Sequence, residues 1–480
     1  MLYKIDADVI QDQEELKPEK VTGEHMRIDT LVAEIGSTTT IVNAFTDIES
    51  DNPIFWGQGQ ADTTVLKGDV RIGLEGAIDD LCKNKGVESI EYDEMLATSS
   101  AAGGLKMTVH GLVYDMTSKA AKEAALGAGA IIHQVTAGRL RQRDLEKLKE
   151  IKPNLILLAG GVDYGERNTS LYNAEMIRSL NLSIPVIYAG NVENQNEIRR
   201  IFEDSATEIY IVDNVYPKVG ELNVEPTRRI IQEAFEAHII HAPGMEQVRD
   251  LINGPIIPTP GAVMECAKLL YDQIGDLMVL DVGGATSDLH SVTEGSEDIE
   301  KILISPEPKA KRTVEGDLGV FVNMKNIIEL IGASKLEKIL DFPIDDVMER
   351  YNVVPQDDDE IKFVEALTEK AAITATERHA GDLHYVPSPS GRSTIAKGKD
   401  LTTVKYIVGT GGALTRLPNR VNIMKKIAKH NIDGILLFPP ENAEILVDND
   451  YIMASLGVLS KVHRKAALYF LEKSLGIELL

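Results

Sequence analysis

Two stretches of this 480-residue chain combine carboxylates, glycines and hydroxyls in a pattern able to handle a phosphate. The first is Glu34-Ile35-Gly36-Ser37-Thr38-Thr39-Thr40, set between apolar residues at 31–33 and 41–42. It reads as a strand, a tight turn and a second strand. The turn offers backbone N–H groups and hydroxyls to a phosphate, with a carboxylate closing the incoming strand. Taken alone, most such turns are merely the ends of hairpins.

The pattern recurs at 277–289, where Asp281-Val282-Gly283-Gly284-Ala285-Thr286-Ser287-Asp288 follows an apolar run. Placing Glu34 on Asp281 puts Gly36 on Gly283, Ser37 on Gly284 and Thr39 on Thr286. Two such hairpins far apart predict a duplicated domain with a cleft between its halves. The turns would clamp a polyphosphate from opposite sides, and the acids Glu34 and Asp281 would hold its Mg²⁺. A third feature lies at 406–418, where an apolar strand enters Gly409-Thr410-Gly411-Gly412 and then a helix. Glycines at 409, 411 and 412 let a flat base or ribose lie against backbone.

The rest of the chain must position these turns. Its length predicts two or three domains, and 43% hydrophobic with 26% charged residues is ordinary for a globular protein. A net charge of −25 argues against nucleic acid or an anionic membrane as partner, although acidity by itself only keeps a protein soluble. Two cysteines, Cys82 and Cys266, make neither a disulfide framework nor a metal cluster and suit a reducing cytoplasm. No signal peptide and no apolar run of membrane-spanning length is expected.

Residues 1–29 read as a polar arm. A helix is predicted over 69–84 and a strand over 94–98, which runs into small residues at 99–104. From 117 the text becomes β-α-β. A helix capped around Thr117-Ser118 continues to 126, with further helices at 142–150, 170–180 and 194–203. Strands are expected at 131–133, 155–159, 185–189 and 209–212. This alternation predicts a parallel sheet inserted over about 117–215. Three of its strand ends carry small or polar residues, where open α/β sheets bind ligands, but none has a dinucleotide fingerprint. His238 and His241 lack further ligands at metal spacing. An apolar helix at 261–271 makes Cys266 a core residue. Residues 357–360 and 391–399 read as loops, the latter without Walker A spacing. Glu377-Arg378-His379 and Asp382-Leu383-His384 read either as cleft-lining groups or as a helix end and its loop.

Together the three turns resemble the motifs of the actin, sugar kinase and seventy-kilodalton heat-shock chaperone superfamily. Residues 34–39 look like its first phosphate motif, 281–288 its second and 408–418 its adenosine motif. Segments 261–271 and 442–459 sit where that superfamily has its two connecting helices. The segments at 97–105, 120–130, 158–163, 312–319 and 450–454 are closer still to the glutamate mutase accessory (MutL) family. That resemblance implies two duplicated actin-like, ribonuclease H-like α/β lobes at 30–260 and 261–480, the first carrying the inserted block. It implies ATP and Mg²⁺ as ligands and an adenosylcobalamin-dependent mutase or aminomutase as partner, reactivated by release of damaged cobalamin. Asp281 and Glu34 would orient Mg²⁺, Asp288 would support the second turn, and Glu315 and Asp317 are candidates to position the attacking water. The superfamily usually has Asp where this chain has Glu34, which bears on the rate of hydrolysis. A small-molecule kinase and a non-hydrolysing ATP-binding adaptor share the same motifs.

Overall fold

The computed structural model describes residues 25–36, 39–64, 69–100, 105–239, 251–254, 256–351, 354–388, 391–431 and 434–478. The apolar runs flanking the first turn form β1 (His25–Ile35) and β2 (Thr39–Thr46), an antiparallel pair with Glu34 opposite Ile41. β1 begins inside the segment that reads as an arm, because His25 and Met26 already pair with a later strand. Leu31, Val32, Ala33, Val42, Ala44 and Phe45 are all buried, so both faces are covered and the sequence shows no alternation. β3 (Ile54–Asp62) extends the meander. α1 (Arg71–Lys85) packs on it through Leu74, Ala77 and Leu81 and ends at Gly86 in the left-handed conformation. β4 (Ser89–Ser99) then lies parallel to β1 on its other side.

Before this sheet is complete, the chain builds another. β5 (Leu105–Gly111), α2 (Lys119–Gly127), β6 (Ala130–Ala137), α3 (Gln142–Ile151), β7 (Leu155–Leu158), α4 (Asn168–Ser179), β8 (Val186–Tyr188), α5 (Gln195–Phe202) and β9 (Ile209–Ile211) follow in turn. The strands are all parallel, in the order β6-β5-β7-β8-β9. The sheet therefore starts ahead of residue 117, its first strand disguised by Lys106, Thr108 and His110. Ser118 does not cap α2. A π-helical turn at Tyr114–Ser118 precedes that helix, and the Ser118 hydroxyl donates to the Thr136 carbonyl. α6 (Glu225–Ile239) leads back to β10 (Ile256–Pro258), which pairs parallel with β4.

α7 (Thr259–Ile274) crosses to the second half, formed by β11 (Leu277–Val282), β12 (Ser287–Val292), α8 (Glu297–Glu300) and β13 (Ala310–Glu315). Next come α9 (Met324–Ile331), α10 (Ala333–Leu340), α11 (Asp345–Arg350) and α12 (Asp358–His379). The acidic run at 357–360 is no loop. It is the N-terminal turn of α12, with Asp357 accepting from the amides of Asp359 and Glu360, where carboxylates offset the helix dipole. Residues read as loops likewise form a hairpin, β14 (Asp382–Ser388) and β15 (Gly391–Lys397). β16 (Tyr406–Thr410), α13 (Gly411–Arg416), α14 (Arg420–Ala428), β17 (Glu444–Val447), α15 (Met453–Leu459) and α16 (Arg464–Leu475) complete the chain.

Two of the three five-stranded sheets correspond strand for strand. Their orders are β3-β2-β1-β4-β10 and β13-β12-β11-β16-β17, each with an antiparallel meander and two parallel strands added beyond the first. This is the α/β fold of two duplicated actin-like lobes. One core joins them, made of Val32 and Phe45 from the first sheet, Val279 and Val408 from the second, and apolar faces of α7, α15 and α16. α7 and α15 cross so closely that a Cβ on Gly457 would lie 1.9 Å from the Ala262 carbonyl oxygen.

Candidate nucleotide site

The two predicted turns have the same geometry. The Gly36 amide donates to the Thr39 carbonyl at 2.9 Å, and the Gly283 amide to the Thr286 carbonyl at 2.9 Å. Each therefore closes a hairpin across a two-residue loop. Ser37 and Thr38 lie outside the described residues. A Cβ on Gly36 would come within 2.6 Å of the Thr39 carbonyl oxygen, so this close approach requires glycine. Glu34 and Asp281 hold the same place, two residues before the glycine. Across the ladder, Glu34 faces Ile41 and Asp281 faces Asp288.

The second turn has its four carbonyls occupied and, among the described residues, three of its amides without a partner. Gly283 O accepts from the Val320 amide at 3.2 Å, and Gly284 O from the amides of Phe321 and Val322 at 2.9 and 2.7 Å. Ala285 O accepts from Asn323 Nδ2 at 2.8 Å, and Thr286 O from Gly283. Gly319 packs directly beneath, since a Cβ there would fall 2.2 Å from the Ala285 carbonyl carbon. The amides of Gly284, Ala285 and Thr286 have no hydrogen-bond partner among the described residues, and these residues are partly exposed. A turn that presents only donors is a concave site for an anion.

Acids gather beside it. Burial pushes Asp281 up to about 7, reinforced by the nearby charges of Asp288, Glu34 and Asp448 and opposed by Arg312. Glu34 is also pushed up to about 7, mainly by burial, while hydrogen bonds from Ser455 pull the other way. Glu34 Oε1 accepts from the Ser455 amide at 3.0 Å and from its hydroxyl at 2.5 Å, with Asn43 Nδ2 at 3.4 Å. The first acid is thus tied to the start of α15. Asp448, fully buried, accepts from Thr410 Oγ1, from Ser474 Oγ and from the amides of Ile452 and Met453. It anchors β16 to the same helix.

The third element packs against the end of β11 at Asp281 and Val282. Gly411 has φ +80°, and a Cβ there would lie 2.3 Å from Asp281 Oδ1 and 2.7 Å from the Val282 carbonyl oxygen. Gly409 is needed for a different reason, since its added Cβ would strike Met424 Sδ at 2.7 Å. Gly412 faces open space, with nothing within 4 Å of a built Cβ.

The MutL protein family matches residues 30–475, and "Protein MutL" of Clostridium tetanomorphum is 36% identical over 460 residues, covering 93% of this chain and 98% of that one. The chain belongs to the MutL family. Solved structures align more loosely. Nucleotide-free acetone carboxylase is 11% identical over 90% of this chain and 70% of its own, with a TM-score of 0.40. Nucleotide-free diol dehydratase-reactivating factor is 12% identical over 92% of this chain and 100% of its own, with a TM-score of 0.37.

The remaining sequence candidates in this MutL-family chain fall into place unevenly. Glu315, at the end of β13, and Asp317 share one partner. Arg378 donates from Nη1 to Glu315 Oε2 at 2.6 Å and to Asp317 Oδ1 at 2.6 Å, and from Nη2 to Asp317 Oδ2 at 2.9 Å. Burial raises Glu315, whereas the Arg378 hydrogen bonds lower Asp317. Asp288 accepts from Thr286 Oγ1 at 3.3 Å on one oxygen and from Arg312 on the other. His379 is buried, with Ser291 and Thr313 hydroxyls on its two nitrogens, so it does not line the cleft. The polar strand ends of the inserted sheet bind one another. Asp163 Oδ1 accepts from the Val192 amide and from Asn214 Nδ2, and Asn214 also donates to Gly161 O. Cys266 is buried, and burial pushes its thiol well up. Of the His238 and His241 pair, His241 lies outside the described residues.

Among the described residues no three His, Cys, Asp or Glu side chains converge as a metal-ligand set. Asp281 has no hydrogen-bond partner among the described residues and is the freest carboxylate at the turn. Sequence reading placed Arg378 among possible cleft-lining groups without its partners Glu315 and Asp317, and it missed Ser455, Arg312 and Asn323, each of which acts on residues distant in the chain. No helix among the described residues is long and apolar enough to cross a membrane.

Proposed function

We propose that this protein binds and hydrolyses Mg²⁺–ATP in the cleft between its lobes and uses the cycle to reactivate an adenosylcobalamin-dependent mutase or aminomutase. The observation that carries the nucleotide reading is the turn at 283–286, with every carbonyl occupied and three consecutive amides free beside Asp281. In this reading those amides and the Thr286 hydroxyl hold phosphate oxygens, joined by the turn at 36–39 from the facing lobe. Asp281, through water with Glu34, would hold Mg²⁺, which neutralises charge developing on the phosphates. Glu315, braced by Arg378, is the candidate to orient the attacking water, with Asp317 completing the brace. The glycines at 411 and 412 would leave a backbone surface for the nucleoside. Positioning and charge neutralisation carry such a reaction, and little covalent chemistry falls to the protein.

Membership of the MutL family, together with the resemblance in the sequence, supports such a partner. The inserted block is the proposed contact, as the nucleotide reading makes no use of it. In support, Val113, Tyr114, Tyr164, Val192 and Val219 are exposed in the loops that follow β5, β7, β8 and β9, and exposed apolar groups at one end of a sheet mark interaction surfaces. The test is restoration of inactivated glutamate, methyleneglutarate or ornithine mutase by the full chain with Mg²⁺–ATP. Recovery in at least one supports the reading. Failure in all three, with ATP binding intact, removes the client while leaving the nucleotide site.

A further inference from the structure

Arg312 belongs to none of the turns, yet its guanidinium touches both the nucleotide side of the second lobe and the inserted block. Nε and Nη2 donate to Asp288 Oδ1 at 3.2 and 2.7 Å, and Nη1 donates to the carbonyl of Leu126 at 3.2 Å. Both members of the ion pair are buried. Leu126 lies in the last turn of α2, at the negative end of the helix dipole, and its carbonyl also accepts from the Gly129 amide at 2.9 Å. A planar guanidinium can serve a carboxylate and a carbonyl at once, which an ammonium on a flexible stem does poorly. On its far oxygen, Asp288 accepts the Thr286 hydroxyl at 3.3 Å. A continuous line of hydrogen bonds thus runs Thr286–Asp288–Arg312–Leu126, from the phosphate-binding turn to the inserted block.

The seam between block and second lobe has other ties. Lys119 reaches Glu307 at 2.5 Å and Ser305 at 3.3 Å, and Arg228 Nη2 donates to the Ala310 carbonyl at 2.6 Å. Neither contacts a residue of the turn or Asp288. We propose that Arg312 is a positioning residue that couples occupation of the nucleotide site to the docking of α2, and so of the inserted block; this rests on the nucleotide reading above. A phosphate at the turn competes with Asp288 for the Thr286 hydroxyl proton and brings a cation whose field acts on the Asp288 carboxylate. Either change alters the hold of Asp288 on Arg312, and with it the bond to Leu126. Linkage makes the effect reciprocal: a displaced block alters nucleotide affinity by the same factor.

The test uses the full chain, with nucleotide affinity measured by calorimetry and amide hydrogen exchange of α2 followed with and without Mg²⁺–ADP. In the wild type, ADP should change α2 exchange by about fivefold or more, the lower end of ordinary allosteric coupling. Arg312→Lys, which keeps the charge but not the fork, and Arg312→Gln should bind ADP yet lose most of that response. Lys119→Met, which loosens the seam elsewhere, should retain it. An unchanged response in either Arg312 variant overturns the proposal, and so does an equal loss in the Lys119 variant. If neither Arg312 variant folds, the wild type decides: α2 exchange indifferent to bound ADP overturns the coupling. A wild type that binds no nucleotide overturns the nucleotide reading itself, an outcome that calorimetry separates from the others.

Discussion

Gly411 is the residue that makes room for the Asp281 carboxylate. Any side chain at 411 would place its Cβ 2.3 Å from Asp281 Oδ1, and φ at 411 is +80°. The two strands concerned run parallel, with Asp281 beside Thr410, so the third turn and the second acid are fixed to one another by sheet register. Gly411 and the Asp281 carboxylate are thus held as one unit.

Gly411→Ala should therefore be the most damaging single-methyl change at the site. The left-handed conformation costs an alanine about 1–2 kcal/mol, and the overlap with Asp281 adds to that. Thermal unfolding should show a clear drop in Tm and calorimetry a loss of ATP affinity. Gly412→Ala, with nothing near its added methyl, should leave the unfolding free energy within about 0.5 kcal/mol of the wild type.

The raised carboxylates make an opposed pair of pH dependences. Asp281 and Glu34 hold protons up to about 7 in the fold, against about 4 in an unfolded chain. The folded state therefore binds more protons between those values, and its stability falls as pH rises through that window, then levels off. Mg²⁺ needs the charged carboxylates, so stabilisation by Mg²⁺–ATP should grow over the same range. Melting scans from about pH 5 to about pH 8.5, with and without Mg²⁺–ATP, read both trends. Asp281→Asn should flatten the first, abolish most of the second and slow hydrolysis by about a hundredfold or more. Hydrolysis by this variant at the wild-type rate would remove Asp281 from the site.

Under the proposed function, Glu34 is the residue whose variants separate an ATPase from a protein that only binds ATP. Its carboxylate is anchored on Ser455 at the start of α15. Glu34→Gln preserves the acceptor and removes the charge, so it should bind ATP while single-turnover cleavage falls sharply. Glu34→Asp draws the carboxylate back from Ser455 by about 1.5 Å, one carbon–carbon bond, and should lower Tm. If Glu34→Gln cleaves ATP normally, Glu34 is an anchor for α15 and nothing more.

The crossing of α7 and α15 has no spare volume. Gly457→Ala puts a methyl onto the Ala262 backbone and should cost about 1–3 kcal/mol or more. Because that crossing lies in the core shared by both lobes, denaturant unfolding should shift as a whole rather than in one half.

The sequence alone disclosed the two hairpins, the glycine turn that follows β16 and the β-α-β block, because each is written locally. A two-residue turn needs its glycine, a doubly covered strand reads as an unbroken apolar run, and crossover helices repeat at a regular interval. Placing Glu34 on Asp281 and Gly36 on Gly283 matches the register of the ladders. Local reading failed where neighbours in sequence were poor witnesses, as at the acidic start of α12 and the β14–β15 hairpin. Only the tertiary structure joined Glu34 to Ser455, 421 positions apart, and Arg312 to Leu126, 186 positions apart. It alone showed that the carbonyls of 283–285 are held by residues 320–323, while the amides of 284–286 have no partner among the described residues. Such bonds follow from how two lobes and an inserted sheet close on one another, and no periodicity in the chain encodes that closure.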